Sequence, residues 1–142
     1  MNTFRLAIPA LLLCAFTFTF TARAATAGKD AAPEVMKGLE EKVDKMLKAY
    51  NDNDWKAFFT DYAKSMAALA TEPTYKMLYG DKGFGKFVSK KLIDKETVSA
   101  NDTPLLVYEA EFEKEKKVKI SVNFTKEDGQ LKVMQVQFNK MQ

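Results

Sequence analysis

The chain of 142 residues carries 22 basic and 19 acidic side chains, a formal net charge of +3, no histidine and one cysteine. Zinc, copper and haem sites therefore lack their usual ligands, and triads that use imidazole as base are excluded. An enzyme built from this alphabet would have to work with Asp, Glu, Lys, Tyr or Ser.

Residues 1–24 have the layout of a secretory signal peptide, with a positive charge at Arg5, an apolar stretch from Leu6 to Phe20, and then Ala22-Arg23-Ala24. Signal peptidase subsites admit only small side chains, which places the cut between Ala24 and Ala25. The apolar stretch is about 15 residues long and interrupted by Pro9, short of the roughly 20 a bilayer-spanning helix needs. Lipidation at Cys14 is not expected, because Leu13 stands where a small residue is required. Cleavage would remove Cys14 together with Arg5 and Arg23, leaving 20 lysines against 19 acidic residues and a net charge of +1. A nearly neutral, arginine-free chain lacks the planar fork and the excess charge that nucleic-acid binding uses. No stable membrane anchor remains after cleavage, and the expected location is the periplasm or the secreted fraction.

Residues 25–33 are small and polar and read as a flexible leader. The rest, 34–142, has the length of one domain and can bury a core without disulfides. A first helix starts near Pro33, whose fixed φ suits an opening turn. Met36, Leu39, Val43, Met46, Leu47 and Tyr50 recur at three- and four-residue steps and make its apolar face. Asn51-Asp52-Asn53 ends it, and Asp54 is a good N-cap for a second helix. That helix carries Trp55, Phe58, Phe59, Tyr62, Met66 and Leu69 and is predicted to run to about Ala70. Thr71-Glu72-Pro73 marks a break and a new cap. A short third helix with Tyr75, Leu78 and Tyr79 stops at Gly80. Gly83 and Gly85 flank Phe84 in a loop, where glycine permits backbone angles other residues avoid. With no strand before it and no helix after it, this spacing is no nucleotide fingerprint.

From about Lys86 the period changes to two. Strands are predicted over 87–98, 105–113, 117–125 and 131–141. The alternation pairs Phe112 with Val118, Ala110 with Ile120 and Tyr108 with Val122, which sets Glu113 against Lys117 and Glu111 against Lys119. For the last hairpin, a two-residue Asp128-Gly129 turn would place Val122 opposite Gln135 and mix the faces. A three-residue Glu127-Asp128-Gly129 loop with a G1 bulge is preferred, placing Val122 opposite Met134 and Ile120 opposite Val136. Met134, Val136 and Phe138 then share the core face, and Leu105, Val107, Leu131 and Val133 form a modest apolar patch on the outer one.

The expected fold class is α+β, with about three N-terminal helices packed on a curved four-stranded antiparallel sheet. Leu47-Lys48-Ala49-Tyr50-Asn51-Asp52-Asn53-Asp54-Trp55, Phe58, the Gly83–Phe87 run into the sheet and the closing strand Val133–Phe138 give the chain a resemblance. It resembles the nuclear transport factor 2-like superfamily (the cystatin-like cone fold), and within it small secreted bacterial domains of unknown function. The resemblance covers nearly all of the chain after the signal and rests on fold-making residues. It implies a cone, a curved sheet wrapped on a long helix with a pocket between. Enzymes of that superfamily place an Asp or an Asp–His pair there, sometimes with tyrosines donating to an oxyanion; here the histidine is missing. Asp61 beside Tyr62 is the nearest carboxylate.

The leading expectation is a non-catalytic binding or interaction domain, without metal or cofactor and without catalytic residues. Its ligand would be a small apolar molecule against Tyr62, Met66, Tyr75, Tyr79, Phe84, Phe87 and Tyr108, residues equally suited to core filling. The outer sheet face could instead make a homodimer. The alternatives are a proton-transfer enzyme of isomerase or dehydratase type, using a pocket carboxylate and a tyrosine, and an accessory protein of cell-envelope assembly.

Overall fold

The computed structural model describes residues 33–96 and 104–142. The signal, almost all of the leader and the end of the first predicted strand at Val98 lie outside the described residues. In chain order come α1 (Pro33–Asn51), α2 (Trp55–Phe58), a 3-10 helix (Lys64–Leu69), α3 (Glu72–Leu78) and a 3-10 turn (Gly80–Lys82). Then follow β1 (Phe87–Glu96), β2 (Leu105–Phe112), β3 (Val118–Glu127) and β4 (Gln130–Lys140). The class is α+β, and the four strands form an open antiparallel meander in sequence order. Leu39, Val43, Met46 and Leu47 of α1 share one core cluster with the inward residues of β2, β3 and β4. Among the described residues no helix is long and apolar enough to cross a membrane.

The end of α1 follows from its sequence. Asn53 takes the left-handed conformation at φ 52°, its N–H donates to Tyr50 O, and the Asp54 N–H donates to Ala49 O. These two bonds close a Schellman motif and satisfy carbonyls the helix would otherwise orphan. Asp54 then caps α2, its side chain accepting from the Ala57 N–H at 3.0 Å. Thr71 does the same for α3, accepting from the Thr74 N–H.

The long second helix does not form. α2 ends at Phe58, and residues 61–63 are captured by the sheet instead: the Val133 N–H donates to Asp61 O and the Ala63 N–H to Val133 O, both at 2.8 Å. This parallel bridge between Tyr62 and Val133 competes with helix propagation. It wins over a stretch of Phe, Thr, Asp and Tyr, all indifferent helix formers.

Strand pairing departs from expectation in two places. β2 and β3 pair Ala110 with Val118, Tyr108 with Ile120 and Leu106 with Val122, two residues from the predicted register. Faces are preserved, because the offset is even. The expected pairs of Glu113 with Lys117 and Glu111 with Lys119 are not made, and Lys119 stands opposite Glu109. The cause lies across β2: the Glu113 and Lys114 N–H groups donate to Lys86 O and Phe84 O, which leaves them unable to extend the β3 ladder.

In the last hairpin the two-residue turn forms after all. Asp128 and Gly129 have φ of 51° and 76°, the positive pair a type I′ turn needs, and Glu127 faces Gln130. The mixing of faces this should cause is repaired by a bulge: Phe124 pairs with Val133 and Asn123 with Gln135, so Met134 is the extra residue. Val133 is therefore core and Met134 is 45% exposed. Leu131, two residues before Val133, packs against the core as well, and Val107 is buried, so of the expected outer patch only Leu105 stays partly exposed.

A junction ties α1 to the start of the sheet. The Asn51 carboxamide donates to Phe87 O at 2.9 Å and accepts from the Phe87 N–H at 2.7 Å, mimicking a strand partner. Beside it, the Tyr50 hydroxyl donates to Gly85 O at 3.1 Å. Gly85 has φ +75°, and a Cβ there would stand 2.9 Å from the Glu113 Cβ. Two substitutions test this junction. Asn51→Ala should cost about 1–3 kcal/mol in chemical denaturation, because both Phe87 groups lose a partner. Gly85→Ala should cost about 2 kcal/mol from the left-handed backbone alone, and more from the contact with Glu113. Stabilities within experimental error of wild type for both would refute the assignment.

Candidate functional site

Between β4 and the helical segment ahead of the sheet lies a cleft of about 560 Å³. One wall consists of Phe59, Tyr62, Met66, Leu69, Thr74, Leu78 and Tyr79; the other is the β4 edge from Met134 to Asn139, and among the described residues Lys82 is the one charged side chain in the lining. The capture of residues 61–63 by β4 builds this wall: the chain leaves the sheet edge at Ala63, and the 3-10 helix and α3 then stand off from the strand.

The cleft polar groups are ordered. Tyr79 Oη donates to Val136 O at 3.1 Å and lies 3.3 Å from Tyr62 Oη. With the Tyr79 proton spent on the carbonyl, Tyr62 is the donor in the tyrosine pair. Burial raises both hydroxyl pKa values, that of Tyr62 far above the ordinary tyrosine range; for Tyr62 the neighbouring Tyr79 adds to the rise, and for Tyr79 the bond from Tyr62 offsets part of it. Lys82 Nζ donates to Phe138 O at 3.0 Å.

Of the seven residues singled out from sequence, Tyr62, Met66 and Tyr79 meet at this cleft. The other four lie elsewhere. Tyr75 is buried in the aromatic cluster, its ring 5.2 Å from that of Phe58 and its hydroxyl on Tyr50 O at 3.4 Å; burial pushes its pKa to about 12. Phe84 and Phe87 pack on Phe112 at 5.6 and 5.8 Å. Tyr108 sits beneath Lys90, whose ammonium lies 4.7 Å over the ring while bonding Asp44 at 3.0 Å. Its hydroxyl is buried with no hydrogen-bond partner among the described residues. Asp61 does not line the cleft; its carboxylate pairs with Lys42 of α1 at 3.1 Å.

Sequence reasoning missed Lys82 and the lip formed by Leu69, Leu78 and Met134. Leu69 and Leu78 sat in predicted apolar stripes, and Met134 was placed in the core by alternation; the bulge alone moves it out. Among the described residues no group of three or more potential ligands is placed to hold a metal ion.

No protein-family model matches the chain. No curated protein is significantly similar to it. The class the geometry defines is thus an α+β domain with a meander sheet and an apolar cleft along the β4 edge.

Two measurements follow from the tyrosines. Folding holds Tyr62, Tyr75 and Tyr79 in their protonated form beyond the ordinary value of 10. The native state therefore binds more protons than the unfolded chain once pH exceeds about 10, and stability falls as pH rises through and past that value. Denaturation midpoints should be flat below pH 9 in this respect and drop above 10, with tyrosinate absorbance appearing late in the folded protein. Tyr108→Phe removes a hydroxyl without a protein partner, so it should leave stability within about 1 kcal/mol of wild type or raise it.

Proposed function

We propose that the chain is an exported, non-catalytic binding domain of the nuclear transport factor 2-like type that takes a small apolar molecule into the cleft beside β4. The observation that carries this reading is the cleft itself, whose volume falls within the range of small-molecule sites and whose wall is aromatic and Met-rich. Export, to the periplasm or beyond, rests on the signal pattern of residues 1–24. The superfamily reading rests on the helix, the Asn-Asp-x-Asp-Trp break and the element order, and it adds to the open meander a curvature into a cone against α1.

A proton-transfer enzyme would need a desolvated carboxylate within reach of a tyrosine proton. Among the described residues no Asp or Glu lines the cleft and no Asp or Glu is buried. The Tyr62 and Tyr79 protons are engaged with Tyr79 Oη and Val136 O. Assembly or dimerisation through the outer sheet face has less to draw on, with the expected apolar patch reduced to a half-buried Leu105.

Leu78→Arg tests the binding reading. Leu78 is already 40% exposed, so the change should cost no more than about 0.5 kcal/mol while placing a charge over the cleft. Native mass spectrometry of protein recovered from its own envelope should show a small apolar molecule on the wild type and none on the variant. The reading fails if the wild type carries nothing and no lipophilic compound in a broad panel raises its melting temperature.

A further inference from the structure

The hydrogen-bonding inventory of the β4 backbone along the cleft is one-sided. β4 is an edge strand, and in an antiparallel ladder the N–H and C=O of one residue point to the same side. Val136 and Phe138 accept bonds from Tyr79 and Lys82, which lie across the cleft. Those two residues thus present both backbone groups away from β3. Their carbonyls are occupied by the protein's own donors, while their N–H groups face the cleft with no protein partner among the described residues. Farther along, Val133 has both its groups bonded to Asp61 and Ala63. The Tyr62 proton is spent on Tyr79. Lys82 has three ammonium protons and uses one on Phe138 O. Its neighbour Asp81 does not line the cleft and acts instead on Lys76.

What remains of the β4 backbone and of Lys82 for a ligand is a set of donors, one of them cationic, beside an apolar wall. The Thr74 hydroxyl and the Gln135, Gln137 and Asn139 carboxamides in the lining can each donate or accept and carry no charge. A peptide adding to the edge would need alternating donors and acceptors and would find the acceptors capped. A neutral hydrocarbon would leave the amides unanswered. An anionic head on an apolar tail satisfies both parts. The head has one place: a rise of about 3.4 Å per residue sets the Val136 and Phe138 amides about 7 Å apart, too far for one carboxylate to span. Only the Phe138 amide has Lys82 beside it. The tail then runs toward Met66, Leu69 and Met134.

We infer that the cleft selects an aliphatic carboxylate, a medium-chain fatty acid, with its head on the Phe138 N–H and Lys82. This inference rests on the binding reading above and narrows it to one ligand class.

Calorimetric titration of the purified protein with decanoate and with decanol, which share a chain and differ in the head, separates the two levels. Decanoate should bind at least tenfold more tightly, and the preference should shrink with added salt, as expected for an exposed cation. In amide NMR spectra the Phe138 resonance should shift downfield with decanoate and little with decanol. Lys82→Glu should abolish the preference, and Lys82→Gln, which retains a donor for Phe138 O, should reduce it several-fold. Equal affinity for the two compounds would overturn the carboxylate assignment while leaving the cleft a binding site. Binding of neither would overturn both readings. Preference for an apolar peptide over decanoate, or an undiminished preference in Lys82→Glu, would also overturn the carboxylate assignment.

Discussion

The two hydrogen bonds between the Asn51 carboxamide and the backbone of Phe87 join positions 36 residues apart. They fix where the sheet begins relative to the end of α1. Everything between must leave α1 and return to the same point, so α2, both 3-10 segments and α3 occupy one closed loop. Tyr50 reinforces the closure by holding Gly85 O, and Tyr75 of α3 reaches back to Tyr50 O. A polar side chain at a helix end thereby does the work of a fifth strand partner. The aromatic rings of Phe58, Tyr75 and Tyr79 pack together within the loop it closes, with centroids 4.6 to 6.0 Å apart.

The cleft is a consequence of that closure and of one extra residue in β4. The returning chain pairs its backbone with the sheet edge at Val133, where residues 61–63 bond to it. Beyond Val133 the bulge at Met134 turns the strand, and the helical segment stands away from it. Tyr79 and Lys82 cross the gap to cap the carbonyls of Val136 and Phe138. An edge strand with free acceptors and donors is an invitation to pair with another chain. Here half of that capacity is occupied from within, which blunts the edge and leaves a surface of donors. The opposite edge is protected differently: β1 carries bulges at Val88 and Ile93, both exposed, which interrupt its ladder.

Much of the fold was legible because local signals agreed with it. The α1 stripe, the Asn-Asp-Asn stop, the Asp54 and Thr71 caps and the positive φ at Gly83 and Gly85 are each settled within a few residues. The candidate site was legible only in part. Tyr62, Met66 and Tyr79 were singled out as aromatic or Met positions in the helical half, and the same reasoning chose Tyr75, Phe84, Phe87 and Tyr108, which fill the core or its margins. Residue type marks an aromatic as suited to a pocket; only packing decides which one has a void beside it. Lys82 carried no signal at all, since a lysine in a short polar turn looks like any solvated charge.

By itself the sequence determined the α+β order, the end of α1, the caps that open α2 and α3, the core stripe of α1 and the chemistry open to a chain without histidine. It also determined strand parity everywhere but at the bulged start of β4, because side chains alternate with a period of two. Only the tertiary structure decided the pairing offset, since a slip of two residues in β2–β3 keeps every side chain on its face and leaves the pattern unchanged. The same holds for the bulge. A two-residue turn and a misplaced parity looked incompatible until Met134 was inserted between them, and an insertion is written in the ladder and nowhere in the local pattern. The broken second helix has the same origin. Phe59 to Ala63 could have continued a helix, and the unpaired edge of Val133, 70 residues on, offered their backbone a better partner.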